Sequence, residues 1–488
     1  MGRKIPVWQC ILVLLVMTGL LVWAITKDSA GEAHIGLILA AIFAGVVAVA
    51  NGWKWSFLEA GILAAINRSM QACLILAVVG AMLAAWMAGG TIPTMMYYGI
   101  KVIAPGVFLF TACLLCSIVS LATGSSWSTA GSMGIALIGV GTALGFPTAM
   151  TAGAVVSGAY FGDKMSPLSD TTNLAPAVAG SNLFDHIRHM IWTTGPSLVI
   201  ALIAYLVLGI KHSAATEVDI GTINEILGFI ESASTINLLY LIPPVFVIAA
   251  VALKLPALPS LMGGVLIAIP FMLMNGTEIT SVMDILNNGI TLGEVPEDAS
   301  LMMQKLGALL NGKGLQGMMW TVSLILCAMC FGGIVDCTGI MGSVAGGMLK
   351  LAKGTRGGLV VVTVFTAIVV NAICCDQYLA IILPGRMYKE AFEDMKLKPK
   401  NLSRCLEDSG TITSNFFPWN TCGATMRSFL GVGSAYIPYA ILNWLNPLIS
   451  IFYGFTGISM EKMIDEEYAR ILEMRAAEKE AAVKGMEG

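Results

Sequence analysis

The sequence predicts an all-α polytopic membrane protein. It is read as two inverted repeats, each with a re-entrant helical hairpin and a broken transmembrane helix, in about ten crossings. Three observations predict this. The 488 residues are 57% hydrophobic and 12% charged, with a mean hydropathy of +0.81. A soluble domain carries about 25% charged residues, so half that supply cannot cover a water-facing surface. Apolar runs of spanning length recur along the chain, and the polar breaks in the remaining apolar stretches fall into two similar sets. The net charge of −3 leaves no electrostatic footprint for nucleic acid.

From the start of the chain, residues 1–69 hold two apolar runs, 9–25 and 35–52. The first is flanked by Lys27, Asp28 and Glu32 with no A-x-A site, so it reads as a retained span. The first repeat, 70–210, begins with span 70–90. Hairpin 105–143 follows, turning at TGSSWST (123–129). Then come broken helix 148–183, interrupted by GDKMSPLSDTTNLAP, and span 190–210. A linker, 211–315, carries spans 236–254 and 257–275. The second repeat, 316–453, has span 316–335 and hairpin 357–395, turning at NAICCDQY (371–378). Broken helix 402–430, interrupted by LEDSGTITSNFFPWNTCG, and span 433–453 complete it. Residues 454–488 form a charged tail, read as a solvated helix with no specific partner.

Pro, Gly, Asn, Ser and Asp at membrane depth unwind a helix, and such backbone is tolerated only where it lines a cavity or is buried in protein. The halves line up: span 70 with span 316, Ser126 with Asp376, Asp163 with Asp408, span 190 with span 433. The separations are 246, 250, 245 and 243 residues. Both breaks also carry N-x-x-P, at Asn173/Pro176 and Asn415/Pro418. Duplication of this kind is the usual build of secondary transporters.

Charge orients the chain. Arg386, Lys389, Lys396, Lys398, Lys400 and Arg404, with Lys350, Lys353 and Arg356, mark cytoplasmic segments. The acid-rich stretches 211–235 and 276–315 fit the outside. The first hairpin then opens outward and the second inward, with both termini cytoplasmic. We expect the protein to lie in a bacterial inner (plasma) membrane.

Ionisable residues at membrane depth are costly and mark functional sites. Here they are Asp163, Lys164, Asp170, Asp376, Glu407 and Asp408, all in the two tips or the two breaks. Asp163 and Asp170 sit at either end of KMSPLS and, with Ser166, Ser169, Thr171, Thr172 and Asn173, form a run of oxygen donors. A hard cation such as sodium needs about five or six oxygens, backbone carbonyls included. Sodium is therefore expected at Asp163, Asp170 and Asp408, with Asp376, Ser126, Asn420 and Thr421 completing a cation- and proton-binding set. The competing readings are structural. Asp163 and Lys164 could form an ion pair, Asp170 could cap a helix, and Glu407 and Asp408 could pair with Arg404 near the interface. Ser125, Ser126, Ser128 and Thr129 could cap the first hairpin. Asp336 reads as interfacial. Carboxylates brought together would titrate as a group.

Eleven cysteines lie mostly in apolar runs. Two C-x-x-C pairs, Cys113/Cys116 and Cys327/Cys330, have no histidine near them, since His34, His186, His189 and His212 lie elsewhere. They read as small apolar residues. No cofactor is expected beyond transported Na⁺ and H⁺.

The motifs GSSWSTAG (124–131), GAYFGDKMSPLSDTTNLAPAVAG (158–180), DQYLAIILPGRMYK (376–389) and LEDSGTITSNFFPWNTCGA (406–424) resemble the NhaC family of sodium/proton antiporters. The resemblance covers nearly the whole chain. It implies the fold of the wider ion-transporter superfamily: inverted repeats, paired re-entrant hairpins and a homodimeric scaffold with moving transport domains in membrane lipid. It implies sodium/proton antiport, with Na⁺ and H⁺ competing at midplane carboxylates. Some relatives couple malate and lactate exchange to protons and sodium, so a sodium- or proton-coupled organic-anion exchanger stays open. Such an exchanger would hold its anion through Asn173, Asn420, hydroxyls and helix N-termini, with Arg427 the nearest guanidinium. A membrane enzyme or channel is disfavoured, since no catalytic triad or metal cluster is evident.

Overall fold

The computed structural model describes residues 3–26, 32–215, 220–253, 255–292, 304, 310–312, 314–349, 352 and 354–484. Lys27, Asp28, Lys350 and Lys353, and most of 293–309, lie outside these residues. The described chain is helical apart from one two-stranded antiparallel pairing, Ile290–Thr291 with Asn311–Gly312.

Seven described helices are long and apolar enough to cross a membrane, or eight if the bent pair Asn224–Ala233 and Leu238–Ala250 is one span. They include Val7–Thr26, Glu32–Ala50, Leu183–Ala215 and Gln316–Cys337. The third in chain order, Trp55–Ala88, runs for 34 residues and starts well before the expected span 70–90. This number differs from the ten crossings expected because the interrupted segments break into pieces too short to span. Span 433–453 likewise divides into a 3₁₀ turn, Ser434–Tyr439, and the helix Ile441–Thr456. The first arm of each hairpin, Pro105–Thr123 and Arg356–Cys374, is by contrast long and apolar enough to count as a span.

Both hairpins form as helix–tip–helix. The first arm Phe108–Thr123 ends at Gly124, which takes φ 70°, and the chain restarts at Ser126. The second, Arg356–Cys374, ends at Cys375, φ 58°, and restarts at Gln377. Each tip is nucleated by a side chain that caps the next helix. Ser125 accepts from the Ser128 amide at 3.2 Å, and Asp376 from the Leu379 amide at 3.0 Å.

Both broken helices are present too. Thr148–Met165 stops before Ser166–Pro167, and the chain resumes as Asp170–Ala179. The second, starting at Pro399, passes through a π turn, Glu407–Thr411, and a 3₁₀ turn, Ser414–Phe416. It resumes as Thr421–Leu430 after Phe417–Pro418. A residue preceding proline is pushed to extended backbone, which is why both helices open there; Ser166 and Phe417 have ψ 130° and 112°.

These elements recur at one constant separation of 251 residues. It relates Gly124 to Cys375, Ser125 to Asp376, Thr148 to Pro399, Pro167 to Pro418, Ser169 to Asn420 and Gly180 to Gly431. The pairings inferred from sequence shift accordingly. Ser126 matches Gln377, Asp163 matches Ser414, and Asp408 matches Ser157.

The first hairpin lies against its broken helix through small residues. A Cβ on Gly158 would run into the Cys113 carbonyl, and one on Gly162 into the Leu121 amide. This small-xxx-small spacing lets the two backbones meet, the close approach by which helices associate in lipid. Around it a continuous apolar core includes Val79, Trp86, Phe108, Leu109, Val155 and Phe429. All eleven cysteines are free.

The tail helix Asp465–Lys484 keeps most of its described side chains exposed, as expected of a charged helix, but its first half is tied to the protein by ion pairs. Arg475 pairs with Glu393 and, at 2.8 Å, with Asp394. Lys396 pairs with Asp465 at 2.8 Å. Leu397 and Lys462 form an antiparallel bridge beneath them.

Candidate functional site

The break in Thr148–Met165 frees backbone carbonyls, and side chains collect them. The Thr172 hydroxyl donates to the carbonyls of Lys164 and Asp163 at 2.8 and 3.1 Å. The Asn173 amide donates to Pro167 and Ser169 at 2.9 and 2.7 Å. The loop is thereby fixed, and Asp163, at the end of the helix, is held in a defined place. Its carboxylate accepts from Ser126 of the hairpin tip and from Ser169 of the break, both at 2.6 Å. Ser169 in turn lies 3.2 Å from the Thr171 hydroxyl.

This carboxylate opens on a cavity of 370 Å³. Both tips and both breaks contribute walls: Ser126, Asp163, Asp170, Thr171, Asp376 and Thr421 are among the lining residues. Three carboxylates and several hydroxyls thus face one cavity with room for several waters, a set of hard oxygen donors that suits sodium. Asp170 is exposed within it and lies 3.5 Å from the Tyr378 hydroxyl. Asp376 has one oxygen committed to its capping bond.

Six of the eleven site residues expected from sequence therefore meet at this cavity. The other five have different work. Ser166 accepts from the Leu168 amide at 3.2 Å, and Thr172 and Asn173 hold the loop. Asn420 caps Thr421–Leu430 by accepting from the Cys422 amide at 3.0 Å, and donates to the Asn371 carbonyl at 2.9 Å.

Asp408 is the fifth, and it does not reach the cavity lining. Its carboxylate takes the Lys164 ammonium, accepts from Thr193 at 2.9 Å and lies 3.8 Å from the Arg404 guanidinium. Lys164 also donates to Asn446 at 2.8 Å. All of Lys164, Arg404 and Asp408 are fully buried. An acid already facing two buried cations is not free to coordinate a third, so sodium at Asp408 is not compatible with this arrangement. The ion-pair alternative for Lys164 holds, but with Asp408 rather than Asp163 as its partner.

Several cavity residues were missed, among them Gln71, Gln377 and Tyr378, and one of those missed is charged. Arg68, on Trp55–Ala88, lines the chamber and pairs with Asp336 at 3.0 Å. The expected span began at residue 70, which left Arg68 in a loop. The polar cluster Asn67, Arg68, Ser69 and Gln71 inside an otherwise apolar stretch was the available signal. Asp336 is a partner to this arginine rather than a merely interfacial acid. Arg427, the guanidinium suggested for an anion, is not among the lining residues.

Helices of spanning length around a carboxylate-lined chamber built from paired hairpin tips and helix breaks define a multi-pass membrane protein of the transporter class. Residues 158–458 match the model of the Na⁺/H⁺ antiporter family. The Na(+)/H(+) antiporter NhaC of Alkalihalophilus pseudofirmus is 36% identical over 95% of this chain and 98% of its own length. The arginine/ornithine antiporter ArcD of Halobacterium salinarum is 37% identical over 89% of each chain. The malate-2H(+)/Na(+)-lactate antiporter of Bacillus subtilis is 32% identical over 87% of this chain and 89% of its own. The chain belongs to the Na⁺/H⁺ antiporter family.

Proposed function

We propose that this protein exchanges sodium for protons across a bacterial plasma membrane, with the two ions competing for Asp163. The observation that carries the reading is the Asp163 carboxylate, clasped at 2.6 Å by Ser126 and by Ser169 at the edge of the cavity. Ionised, it supplies the charge for a sodium shell completed by Ser126, Ser169, Thr171 and water, with Asp170 and Asp376 adding negative field. Protonated, it gives up that charge and the cation leaves. One group thus makes the two ions mutually exclusive, which is what antiport requires. Asp163→Asn tests this: the variant should insert normally and lose sodium-driven proton flux in proteoliposomes. Flux at the wild-type rate would remove Asp163 from the mechanism.

The constant separation of the two tips and two breaks supports a duplication, 70–210 and 316–453, and the charge pattern of the loops is the support for its inversion, with the hairpins entering from opposite sides. The lysines and arginines of 386–404 support cytoplasmic termini. A homodimer is proposed from the family resemblance.

A second reading, an organic-anion exchanger, is favoured by one observation. Arg68 gives the cavity a guanidinium, and 370 Å³ is more room than a bare sodium ion fills. Malate or lactate gradients imposed on proteoliposomes decide between the two readings. Anion-driven flux that Arg68→Gln removes would favour the exchanger.

A further inference from the structure

Behind the cavity lies a second acid that the sodium site does not use. Glu407 opens the π turn Glu407–Thr411 and is fully buried. Neither of its carboxylate oxygens has a hydrogen-bond partner among the described residues. The Thr411 hydroxyl, one turn on, is the side-chain donor turned towards it and has no other partner. A single-turn π bulge inside a helix is metastable and is frequent at functional sites.

Charge on a carboxylate so buried and so poorly partnered is costly to keep. The charged groups that act on it are Lys164, Asp163 and Asp408. Lys164 is already engaged with Asp408 and Asn446. Arg404, one turn back, donates from Nη1 to the Ser459 carbonyl at 2.9 Å and hydroxyl at 2.8 Å, while its Nε, without a hydrogen bond, lies 3.8 Å from Asp408. His186, beyond them, lies 2.8 Å from Ser403. The second hairpin meets the turn through Asn371, which donates to the Gly410 carbonyl at 2.6 Å. The hairpin's Tyr388 is turned to Thr366. Ile441–Thr456 brings the uncharged Asn443 and Asn446.

A purely structural side chain at this place would be apolar, or an amide with both ends bonded. An acid so poorly partnered, beside a lysine that could receive its charge, is built to gain and lose a proton.

We propose that Glu407 is a second proton-carrying group, spatially separate from the sodium-binding cavity, so that each sodium exchanges for two protons, one on Asp163 and one on Glu407. The proposal rests on the antiport reading. In one phase Asp163 gives its proton to water as sodium binds. In the same phase, and on the same side of the membrane, Glu407 releases its own proton to water as the turn rearranges, with the Lys164 ammonium facing the carboxylate left behind; in the other phase sodium leaves on the opposite side and both acids take up protons from water there.

The test is the ratio of proton to sodium flux in proteoliposomes, from a pH dye and radioactive sodium in the same vesicles, with sodium affinity from calorimetry. The wild type should move two protons per sodium. Glu407→Gln should move one, with sodium affinity within about twofold of wild type. A wild-type ratio of one, or an unchanged ratio in Glu407→Gln, overturns the proposal, as does loss of sodium binding in a folded Glu407→Gln. If the Gln variant is not recovered folded, Glu407→Met decides, since it fills the same buried place without an acid: a ratio of one supports the proposal, and a ratio of two overturns it. Absence of any sodium-driven proton flux in the wild type would instead remove the antiport reading itself.

Discussion

Replacing Asp408 with Asn changes no shape but leaves two buried cations without their counter-charge. Lys164 keeps Asn446 at 2.8 Å, and Arg404 keeps Ser459. Breaking a buried pair by removing one partner costs about 3–5 kcal/mol, because the remaining charge stays desolvated. Lys164→Met is the milder change. Asp408 retains Thr193 at 2.9 Å and Arg404 at 3.8 Å, so a rearranged pair can form. The expected cost is about 1–3 kcal/mol. In Lys164→Met/Asp408→Asn one cation is gone along with the acid, so the double variant should lose less than the sum of the singles by about 2 kcal/mol. Unfolding of the purified protein in mixed detergent micelles measures all three. Sodium affinity in each folded variant should stay within about threefold of wild type, under 1 kcal/mol, since the cavity does not contain this pair. Additive costs, or a Lys164→Met variant less stable than Asp408→Asn, would refute the reasoning. Loss of sodium binding in a stable Lys164→Met would return the pair to the sodium site.

Gly158→Ala should block the close contact with the Cys113 carbonyl and lower stability by about 2–4 kcal/mol, read by the same unfolding assay; a wild-type midpoint would mean that the hairpin simply shifts. Arg475→Ala should undock the tail and speed tryptic cleavage at Arg470, whereas unchanged cleavage kinetics would show that the ion pairs do not hold it. The docking should also depend on pH. The Lys396 ammonium holds the Asp465 carboxyl below the ordinary carboxylate range, so this contribution is present above that range and is lost as pH falls through it, near about pH 4 and below. Hydrogen exchange over 465–475, corrected for its intrinsic pH dependence, should then accelerate in acid, and protection that holds at about pH 3 would remove Asp465 from the clamp.

Much of this arrangement was legible because membrane depth makes polar residues conspicuous. The tips and breaks stand out as Ser, Asn, Asp and Pro within apolar sequence, and Asp163, Asp170 and Asp376 follow from that contrast alone. Two kinds of information were hidden. Register depends on backbone conformation: Gly124 and Cys375 both take positive φ, yet as residue types they share nothing, so in sequence the 251-residue separation showed only in pairs such as Pro167/Pro418 and Gly180/Gly431, and Asp163 was paired with Asp408 instead. Partner choice depends on which side chains meet across long sequence distances. Nothing local says that Lys164 spends its charge on Asp408, or that Asn173 and Thr172 bond backbone rather than a cation. Arg68 was lost to a boundary, because the helix that carries it begins at Trp55.

The claim that sodium and a proton compete for Asp163 is tested most directly by calorimetric sodium titration of the purified protein between about pH 5.5 and 8.5. A single competing proton predicts that affinity weakens about tenfold per pH unit on the acid side of the site's titration, and that Asp163→Asn shows no binding at any of these pH values. Sodium affinity that does not change across the range, or that survives in Asp163→Asn, would contradict the account.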